Sequence, residues 1–294
     1  MRAPGRRWLL LLALLPGALP GAGSSVVDDA GRRVELPAPA RRIVSLAPHA
    51  TEMLFAVGAG ERLVAVMVHS DHPPAARALP RLGSHAGLEL ERLLALEPDL
   101  VVVWGSGNGR RALARLEGLG LAVFVSEPRS LEAVASGLER LGRLAGTAQQ
   151  GRRAAAQFRR RWRALDERYA GRPELAVFYQ IWGDPLITVN GDHLISRLIR
   201  LCGGRNVFAD APTLAPRVSL EAVLAARPEV IVAGTAQGAA DAALAAWRDW
   251  PELPAVARGE LHALPADLLN RPGPRVMEGA ERLCRRLEQA RPGA

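Results

Sequence analysis

The sequence predicts an α/β fold with two Rossmann-like lobes, each built on a central parallel sheet, joined by a single long helix. Short apolar runs of strand length alternate with amphipathic segments of helix length, which is typical of βαβ units. This alternation occurs twice, before and after residues 147–169, a highly charged stretch with few helix-breaking residues. The uninterrupted apolar run at residues 99–104 favours a strand that is covered on both faces of a parallel sheet.

The first lobe is expected over residues 24–146 and begins with a short hairpin or arm at 26–36. Thr51 or a neighbouring residue is expected to cap the first helix, with Glu52 complementing the helix dipole in the first turn. A glycine-rich stretch at 105–109 lacks the spacing of a dinucleotide loop and predicts a tight turn. The predicted strands are 42–47, 63–67, 99–104 and 121–125, and the predicted helices are 51–57, 90–96, 110–119 and 130–144.

One helix over residues 147–171 is expected to connect the lobes, because α/β units lie on both sides of it. The second lobe, residues 172–294, repeats the pattern of the first. Its predicted strands are 174–180, 230–233 and 261–264, and its predicted helices are 194–201, 219–226, 241–247 and 274–289. Ligands of open parallel sheets bind outside the carboxyl ends of the strands. A ligand cleft is therefore expected between the lobes, at the loops after residues 47, 67, 104, 180 and 264.

The N-terminus has the three parts of a secretory signal. Arg2, Arg6 and Arg7 precede an apolar run at residues 8–15, and small residues with Pro and Gly follow at 16–23. The apolar run is too short for a resident membrane helix, and the Pro/Gly flank disfavours a buried first helix of the fold. Cleavage is expected near Ala22 or Gly23, which makes 1–23 a signal peptide and the mature protein periplasmic. No Cys lies at the cleavage region, which disfavours a lipid anchor.

The net charge of +8 by itself suggests a nucleic acid or an anionic surface as partner. However, all 38 basic residues are Arg, and they are scattered along helices that also carry Glu or Asp. Such charges are typical of solvated faces. An exported chain also meets little nucleic acid, so nucleic-acid binding is not expected.

The two cysteines, Cys202 and Cys284, favour a disulfide bond, because an even count in an oxidising compartment usually pairs. The closed loop of about 80 residues would contribute roughly 4–5 kcal/mol to stability by the chain-entropy argument. Two separate buried thiols are the alternative.

Histidines at positions 49, 69, 72 and 85 follow strands or lie in loops on the cleft side. The spacing of His69 and His72 is compatible with a metal site, but histidines that only form hydrogen bonds at the surface are the alternative. The chain has no G-x-S-x-G elbow, no H-E-x-x-H motif and no lysine for a phosphate loop. The sequence therefore predicts neither an enzyme nor a resident metal.

Trp104 ends an apolar strand on the cleft side. It is either a core residue or a flat apolar wall for a ring-shaped ligand. Asp267 and Arg271 follow the last short strand, where their opposite charges could form a surface ion pair or meet the polar edges of a ligand.

At these residues the chain resembles the cobalamin-binding periplasmic proteins of ABC importers, a class that also includes haem and iron-siderophore receptors. The resemblance runs from residue 42 to about 287. In the first lobe its motifs are Ser45-Leu46-Ala47-Pro48 with Thr51-Glu52, Ser70-Asp71-His72-Pro73-Pro74, Leu90-Glu91-Arg92 with Leu96-Glu97-Pro98-Asp99, and Trp104 with Gly107-Asn108. In the second lobe they are Cys202-Gly203-Gly204 with Asn206-Val207-Phe208, Val218-Ser219 with Glu221, Asp267 with Arg271, and Pro274-Arg275 with Cys284.

The resemblance implies the two-lobed fold with one connecting helix, a corrinoid as cargo and no cofactor. It implies that Trp104 packs against the corrin, that Asp267 and Arg271 contact the ligand from the second lobe, and that Pro48 and His49 touch the corrin edge. It also implies that Glu91 and Glu221, one per lobe, dock on arginines of the membrane permease of an ABC importer. Cys202 and Cys284 match the disulfide pair of the family. We expect the receptor to be a monomer.

The sequence departs from that family at four positions. His69 and His85 stand where the family has Tyr and Trp, and Ala215 and Ile187 stand where it has Trp and Phe. The expected cleft thus has fewer aromatic and more imidazole side chains, with Trp182 as a replacement wall. A corrinoid is the first expectation. A haem or iron-siderophore receptor, with His69 or His85 bound to iron, is the alternative. A secreted enzyme is the weakest hypothesis.

Overall fold

The structure, a computed structural model, describes residues 23–83, 87–236 and 239–292. The predicted signal peptide lies outside the described residues except for its last position, and His85 lies outside them as well. None of the helices in the described ranges is both long and apolar enough to cross a bilayer.

The N-terminal lobe contains a four-stranded parallel sheet in the order β4-β3-β5-β6, preceded by the antiparallel hairpin β1-β2. In chain order its elements are β1 Ser24–Val27, β2 Arg33–Leu36, β3 Ile43–Ser45, α1 Pro48–Ala56, β4 Leu63–Val66, α2 Leu90–Ala95, β5 Leu100–Trp104, α3 Gly105–Gly118, β6 Val123–Ser126 and α4 Leu131–Leu144. The hairpin expected at 26–36 is present and begins two residues earlier, at Ser24. All four strands are present; each has fewer residues than predicted, and β6 ends one residue later than expected.

A 22-residue helix, α5 Ala148–Tyr169, follows the first lobe. The C-terminal lobe then forms a second four-stranded parallel sheet in the order β10-β7-β11-β12. Its elements are β7 Leu175–Gln180, β8 Trp182–Gly183, β9 Leu186–Ile187, α6 Leu194–Leu201, β10 Gly204–Asn206, α7 Leu220–Ala226, β11 Val230–Thr235, α8 Ala240–Ala245, α9 Pro254–Ala257, β12 Leu261–Pro265, α10 Ala266–Leu269 and α11 Val276–Gln289. Two lobes, each with a parallel sheet, joined by one long helix are the fold class that the sequence predicts.

The two lobes share one hydrophobic core. On one face of each sheet, buried side chains of α1 and α4 in the first lobe and of α6 and α11 in the second belong to the same continuous cluster. Helix α5 lies within that cluster and buries Ala155, Phe158, Leu165 and Tyr169. The outer face of each sheet has a separate core, under α2 and α3 in the first lobe and under α7 and α8 in the second. The connecting helix is therefore packed against both lobes along its apolar stripe.

The start of α1 differs from the sequence prediction. The helix begins at Pro48, and its N-cap is Ala47, which provides no side-chain cap. Proline suits the first helical position because its φ is fixed and it has no N–H to satisfy. Thr51 lies one turn inside, where its hydroxyl donates to the Ala47 carbonyl oxygen at 3.1 Å. The expected Thr51 cap is therefore wrong, and Glu52 is outside the first turn.

The glycine-rich segment after β5 is also different from the prediction. Residues 105–108 form a helical turn at the start of α3, and the helix is interrupted at Gly109, whose φ is 77°. The predicted tight turn at 105–109 and the helix start at 110 thus merge into one kinked helix. The small elements β8, β9, β10, α9 and α10 have no counterpart in the sequence prediction, because segments of two to four residues carry no measurable periodicity.

The disulfide expected from the cysteine count is present. Cys202 at the end of α6 is bonded to Cys284 in α11, 82 residues away in sequence. Both residues are completely buried. The bond ties together two helices that face the connecting helix on the inner side of the second lobe.

We predict that the double variant Cys202→Ser/Cys284→Ser loses about 4–5 kcal/mol of unfolding free energy, because the unfolded chain gains the entropy of an open loop. Urea denaturation followed by circular dichroism measures this difference. Dithiothreitol should lower the midpoint of the wild type to a similar degree and leave the double variant unchanged. Equal midpoints for oxidised wild type and double variant would contradict the prediction.

Candidate functional site

The carboxyl ends of the two sheets meet at the boundary between the lobes. A cavity of about 730 Å³ lies there. It is lined by His69 and Asp71, after β4 of the first lobe, and by Thr235, Asp267 and Arg271 of the second. The structure thus brings three predicted site residues together, and we call this space the inter-lobe cavity. His69 is exposed and has a left-handed backbone, with φ at 67°.

Trp104, the last residue of β5, is half-buried. Its backbone N–H donates to Oδ1 of Asn108 at 2.6 Å, and Nδ2 of Asn108 donates to the Leu46 carbonyl oxygen at 3.1 Å. Asn108 therefore fixes the end of β5 to the loop that follows β3. These two hydrogen bonds give a structural reason for an asparagine at position 108 of the glycine-rich segment.

The indole ring of Trp104 lies directly on the backbone of Gly107. A β-carbon at position 107 would overlap the ring atoms Cε3 and Cδ2. Only glycine allows this close approach, because any side chain would push the ring away from its place. Trp104 lines a narrow cavity of about 50 Å³ between the lobes, with Asn270 and Pro272 on the opposite side. It does not line the inter-lobe cavity that holds Asp267 and Arg271.

His49 is buried, with 1% of its surface exposed. Its ring contacts the edge of Trp104 with centroids 5.5 Å apart, and Nε2 lies 3.0 Å from Oγ of Ser126. Burial lowers the pKa of His49 to about 3, against a weaker opposing effect of the Ser126 hydrogen bond. The imidazole is thus neutral and supports Trp104 from inside the lobe. The sequence placed Pro48 and His49 at the ligand surface, whereas in this structure His49 is buried and Pro48 is half-buried.

Asp267 and Arg271 form the predicted pair, with Oδ1 of Asp267 2.8 Å from Nη2 of Arg271. Arg271 also crosses to the first lobe, where its Nη1 donates to Oδ1 of Asp71 at 2.8 Å. Burial is the largest single influence on Asp71 and opposes its ionisation, but the hydrogen bond and charge of Arg271, together with its own backbone and the charge of Arg275, outweigh burial and lower the pKa of Asp71. The Arg271 guanidinium is therefore held by carboxylates of both lobes.

Glu52 of α1 is the buried centre of this charge cluster, with a side chain that is 3% exposed. Arg275 holds both of its carboxylate oxygens, through Nε at 3.0 Å and Nη2 at 2.6 Å. Nη1 of Arg271 lies 3.5 Å from the same carboxylate. Sequence reasoning missed the roles of Glu52, Asp71 and Arg275, although all three lie in the motifs of the family resemblance. We call these five side chains, Glu52, Asp71, Asp267, Arg271 and Arg275, the inter-lobe charge cluster.

Trp182 lies in the small hairpin β8-β9 and is 61% exposed. Its indole N–H donates to the carbonyl oxygen of Asp184 at 2.8 Å, which fixes the ring orientation. It lines a third cavity, of about 960 Å³, at the carboxyl edge of the second sheet. The predicted aromatic residues Trp104 and Trp182 are therefore on different cavities.

Glu91 and Glu221 occupy equivalent places in the two lobes. Each is an exposed residue in the first turn of a helix, α2 or α7, that leads into the sheet strand β5 or β11. A helix that connects parallel strands runs opposite to them, so both first turns lie at the carboxyl edge of their sheets. Hydrogen bonds from its own backbone and from the Ser219 hydroxyl lower the pKa of Glu221, which keeps it charged. Within the described ranges, no three His, Cys, Asp or Glu side chains are placed to share a metal ion.

Residues 43–268 match the family described as periplasmic binding protein. The chain belongs to this family. The resemblance seen in the motifs is therefore confirmed, and with it the two-lobed fold and the placement of the chain among periplasmic binding proteins.

Named relatives of this periplasmic binding protein bind vitamin B12 or haem. The vitamin B12-binding protein of Vibrio cholerae serotype O1 is 41% identical over 255 residues, which cover 86% of this chain and 91% of that protein. The crystal structure of the periplasmic vitamin B12 binding protein BtuF of Vibrio cholerae superposes with a TM-score of 0.79 at 40% identity and covers 86% of this chain and 98% of that one. A periplasmic heme binding protein from Pseudomonas aeruginosa has a TM-score of 0.73 at 29% identity, covering 83% of this chain and 91% of that one.

The burial of His49 predicts that this periplasmic binding protein loses stability in acid. The unfolded state takes up a proton at His49 below about pH 6.5 while the folded state stays neutral, so stability is full above that pH and falls as pH decreases. Between pH 7 and pH 5 this linkage amounts to about 2 kcal/mol. Urea denaturation at pH 7 and at pH 5 measures the free energy of unfolding. This free energy should fall less between the two pH values for His49→Gln than for the wild type. If the free energy of unfolding fell by the same amount in both proteins, His49 would not be the group whose protonation lowers stability.

Proposed function

We propose that this periplasmic binding protein captures cobalamin or a related corrinoid between its lobes and delivers it to an ABC importer. The observation that carries the proposal is the identity of 41% to a vitamin B12-binding protein over 86% of the chain. The cleft supports it independently. Charged groups line the inter-lobe cavity, and aromatic rings lie on the two cavities beside it.

The chemistry of a corrinoid suits a cleft in which charged and aromatic side chains line separate cavities. The corrin is a wide, flat ring whose periphery carries amide side chains that both donate and accept hydrogen bonds. Asp71, Asp267 and Arg271 offer acceptors and donors to such amides at the inter-lobe cavity. Trp104 offers a flat apolar surface, but its own cavity is only about 50 Å³. A corrin stacked on Trp104 therefore requires residues 269–272 to move away by about 3.5 Å, the thickness of a ring.

A haem or iron-siderophore ligand is the second candidate. The exposed His69 lines the inter-lobe cavity, where an imidazole could bind an iron atom at the centre of a chelate. The 29% identity to a heme binding protein from Pseudomonas aeruginosa supports the same candidate. The proposed ligands differ in whether an imidazole of the protein binds the metal, and this difference can be measured.

In the proposed role the ligand is released unchanged, so no covalent step is required of the protein. The receptor would work in the periplasm as a monomer, after removal of a signal peptide near Ala22 or Gly23. Its companion would be a permease and ATPase complex at the inner membrane. Glu91 and Glu221 supply one exposed carboxylate per lobe at the carboxyl edges of the sheets, so a permease that carries paired cations could contact both lobes at once.

We predict that cyanocobalamin quenches the tryptophan fluorescence of the protein in a saturable manner at micromolar concentration. Trp104→Ala should weaken the binding ten- to a hundredfold, because about 1.4–3 kcal/mol of stacking and apolar burial is lost. Isothermal titration calorimetry compares the variants, since it does not depend on the fluorophore. Trp162→Phe, on the connecting helix, is the matched control and should bind as tightly as the wild type.

No saturable signal with cyanocobalamin would reject the corrinoid proposal. In that case haem is the second ligand to add. A shift of the Soret band that disappears in His69→Ala would establish the alternative. A corrinoid receptor should leave the Soret band of added haem as it is in buffer.

The docking proposal is tested separately from the cargo. Glu91→Ala/Glu221→Ala should leave cyanocobalamin affinity unchanged, because both side chains are exposed and lie outside the cavities, and should lower uptake through the companion importer in proteoliposomes. The charge-matched control Glu35→Ala/Glu167→Ala changes exposed carboxylates elsewhere and should support normal uptake. Uptake by Glu91→Ala/Glu221→Ala equal to that of the control would show that the two residues do not dock.

A further inference from the structure

The positive charge of the chain is concentrated in one stretch. Residues 140–165 contain eight arginines and no Asp or Glu. This stretch covers the end of α4 and most of the connecting helix α5. Solvated faces usually carry charges of both signs. Here any acidic partner of an arginine must come from another element of the fold.

The lobes supply such partners at the two flanks of α5. Nη1 of Arg159 lies 2.6 Å from Oε1 of Glu139 in α4, and the same guanidinium also pairs with Glu132. On the other flank, Nη2 of Arg161 lies 2.7 Å from Oε1 of Glu281 in α11. These two arginines join the helix to the first and the second lobe, so they are already occupied.

The outward side of α5 carries four further arginines, all of them exposed, namely Arg152, Arg153, Arg160 and Arg163. In helix geometry they fall within an arc of about 100° and extend over roughly 17 Å of the helix axis. Within the ranges that the structure describes, none of the four forms an ion pair with a carboxylate. Their charges are therefore available to a partner outside the chain.

Arg143 extends this row onto α4. A β-carbon at Gly142 would lie 2.9 Å from Cα of Gly151, so the two helices touch at these glycines, and the exposed Arg143 lies beside the first turns of α5. The exposed Glu167, about one turn beyond Arg163, marks the other end of the row. We call the five side chains, Arg143, Arg152, Arg153, Arg160 and Arg163, the α5 basic face.

The α5 basic face lies apart from the ligand cleft. The backbone N–H of Ala40, just before β3, donates to the carbonyl oxygen of Leu144 at 2.8 Å, so α4 ends and α5 begins at the amino edge of the first sheet. Helix α5 leads into β7 and thus ends near the amino edge of the second sheet. The cleft, Glu91 and Glu221 lie at the carboxyl edges. A surface that contacts the α5 basic face therefore leaves the cleft and the proposed docking residues uncovered.

We propose that the α5 basic face binds a membrane surface that contains anionic phospholipid. A guanidinium forms paired hydrogen bonds with phosphate, and charges along one side of a helix suit a planar array of phosphates. The side chain that lies between the arginines on this arc is Ala156. The face thus offers no ring on which a nucleic-acid base stacks and no large apolar side chain that enters the acyl chains. The contact is electrostatic and peripheral, and it does not depend on the identity of the cargo.

Co-sedimentation with lipid vesicles tests the proposal. The protein used is residues 24–294, which contain every helix and strand of the described fold, because the apolar run at 8–15 would itself enter lipid. The wild type should bind vesicles of phosphatidylcholine with about one third phosphatidylglycerol and should not bind phosphatidylcholine alone. Binding should decrease as sodium chloride is raised from about 50 to about 300 mM, because salt screens exposed charges.

Two triple variants with the same net charge locate the contact. Arg152→Gln/Arg160→Gln/Arg163→Gln removes three charges of the α5 basic face and should weaken binding to the phosphatidylglycerol vesicles about a hundredfold. Arg110→Gln/Arg111→Gln/Arg115→Gln removes three exposed arginines of α3, on the outer side of the first lobe, and should bind within about threefold of the wild type.

Equal weakening of the two triple variants would show that total charge, and not this face, attracts the vesicles, and would overturn the inference. Absence of wild-type binding to phosphatidylglycerol vesicles at low salt would overturn it as well. If a duplex oligonucleotide bound instead, and only the α5 variant lost that binding, the face would belong to nucleic acid and the lipid assignment would be wrong. None of these outcomes changes the corrinoid proposal, because no corrinoid is present in the assay.

Discussion

The carboxylate of Glu52 is buried where the two lobes meet, and the guanidinium of Arg275 holds both of its oxygens. A charge removed from water is tolerated only when it is paired and hydrogen-bonded, and the loss of one partner typically costs about 3–5 kcal/mol. Glu52 comes from the first lobe and Arg275 from the second. Contact between the lobes therefore depends on this pair, and a variant that removes one of the two side chains would leave a buried charge without its partner.

This constraint also sets the geometry of the proposed ligand cleft. Arg271 lies 3.5 Å from Glu52, and its other contacts are Asp71 in the first lobe and Asp267 in the second. The guanidinium is thus orientated by three carboxylates of the protein itself. A group held in this way loses little conformational freedom on binding, which favours affinity. In the proposed function Arg271 also contacts the ligand, so ligand binding and contact between the lobes would be coupled through this side chain.

The lobes are tied together by packing as well as by charge. Helix α5 buries Phe158 and Leu165 in a core that includes helices of both lobes. The charge cluster lies at the carboxyl edges of the sheets, whereas the α5 core is built on the inner helices. The charge cluster and the α5 core join the lobes at two different places, and together they resist bending of one lobe against the other more than a single flexible connection would. The cleft is therefore largely preformed, and the proposed stacking on Trp104 depends on a local shift of residues 269–272 more than on a wide opening of the lobes.

The sequence alone determined the strands, most helices, the connecting helix and the cysteine pair, because apolar periodicity and spacing are local properties of the chain. It also selected Trp104, Asp267 and Arg271 as residues of the cleft. Only the tertiary structure decided that His49 is buried behind Trp104, that Trp182 is exposed while Trp247 is buried, and that Glu52 bridges the lobes. The Glu52 and Arg275 side chains meet across 223 residues of sequence. No local pattern encodes such a contact, since it arises only when two separate lobes pack against a common helix.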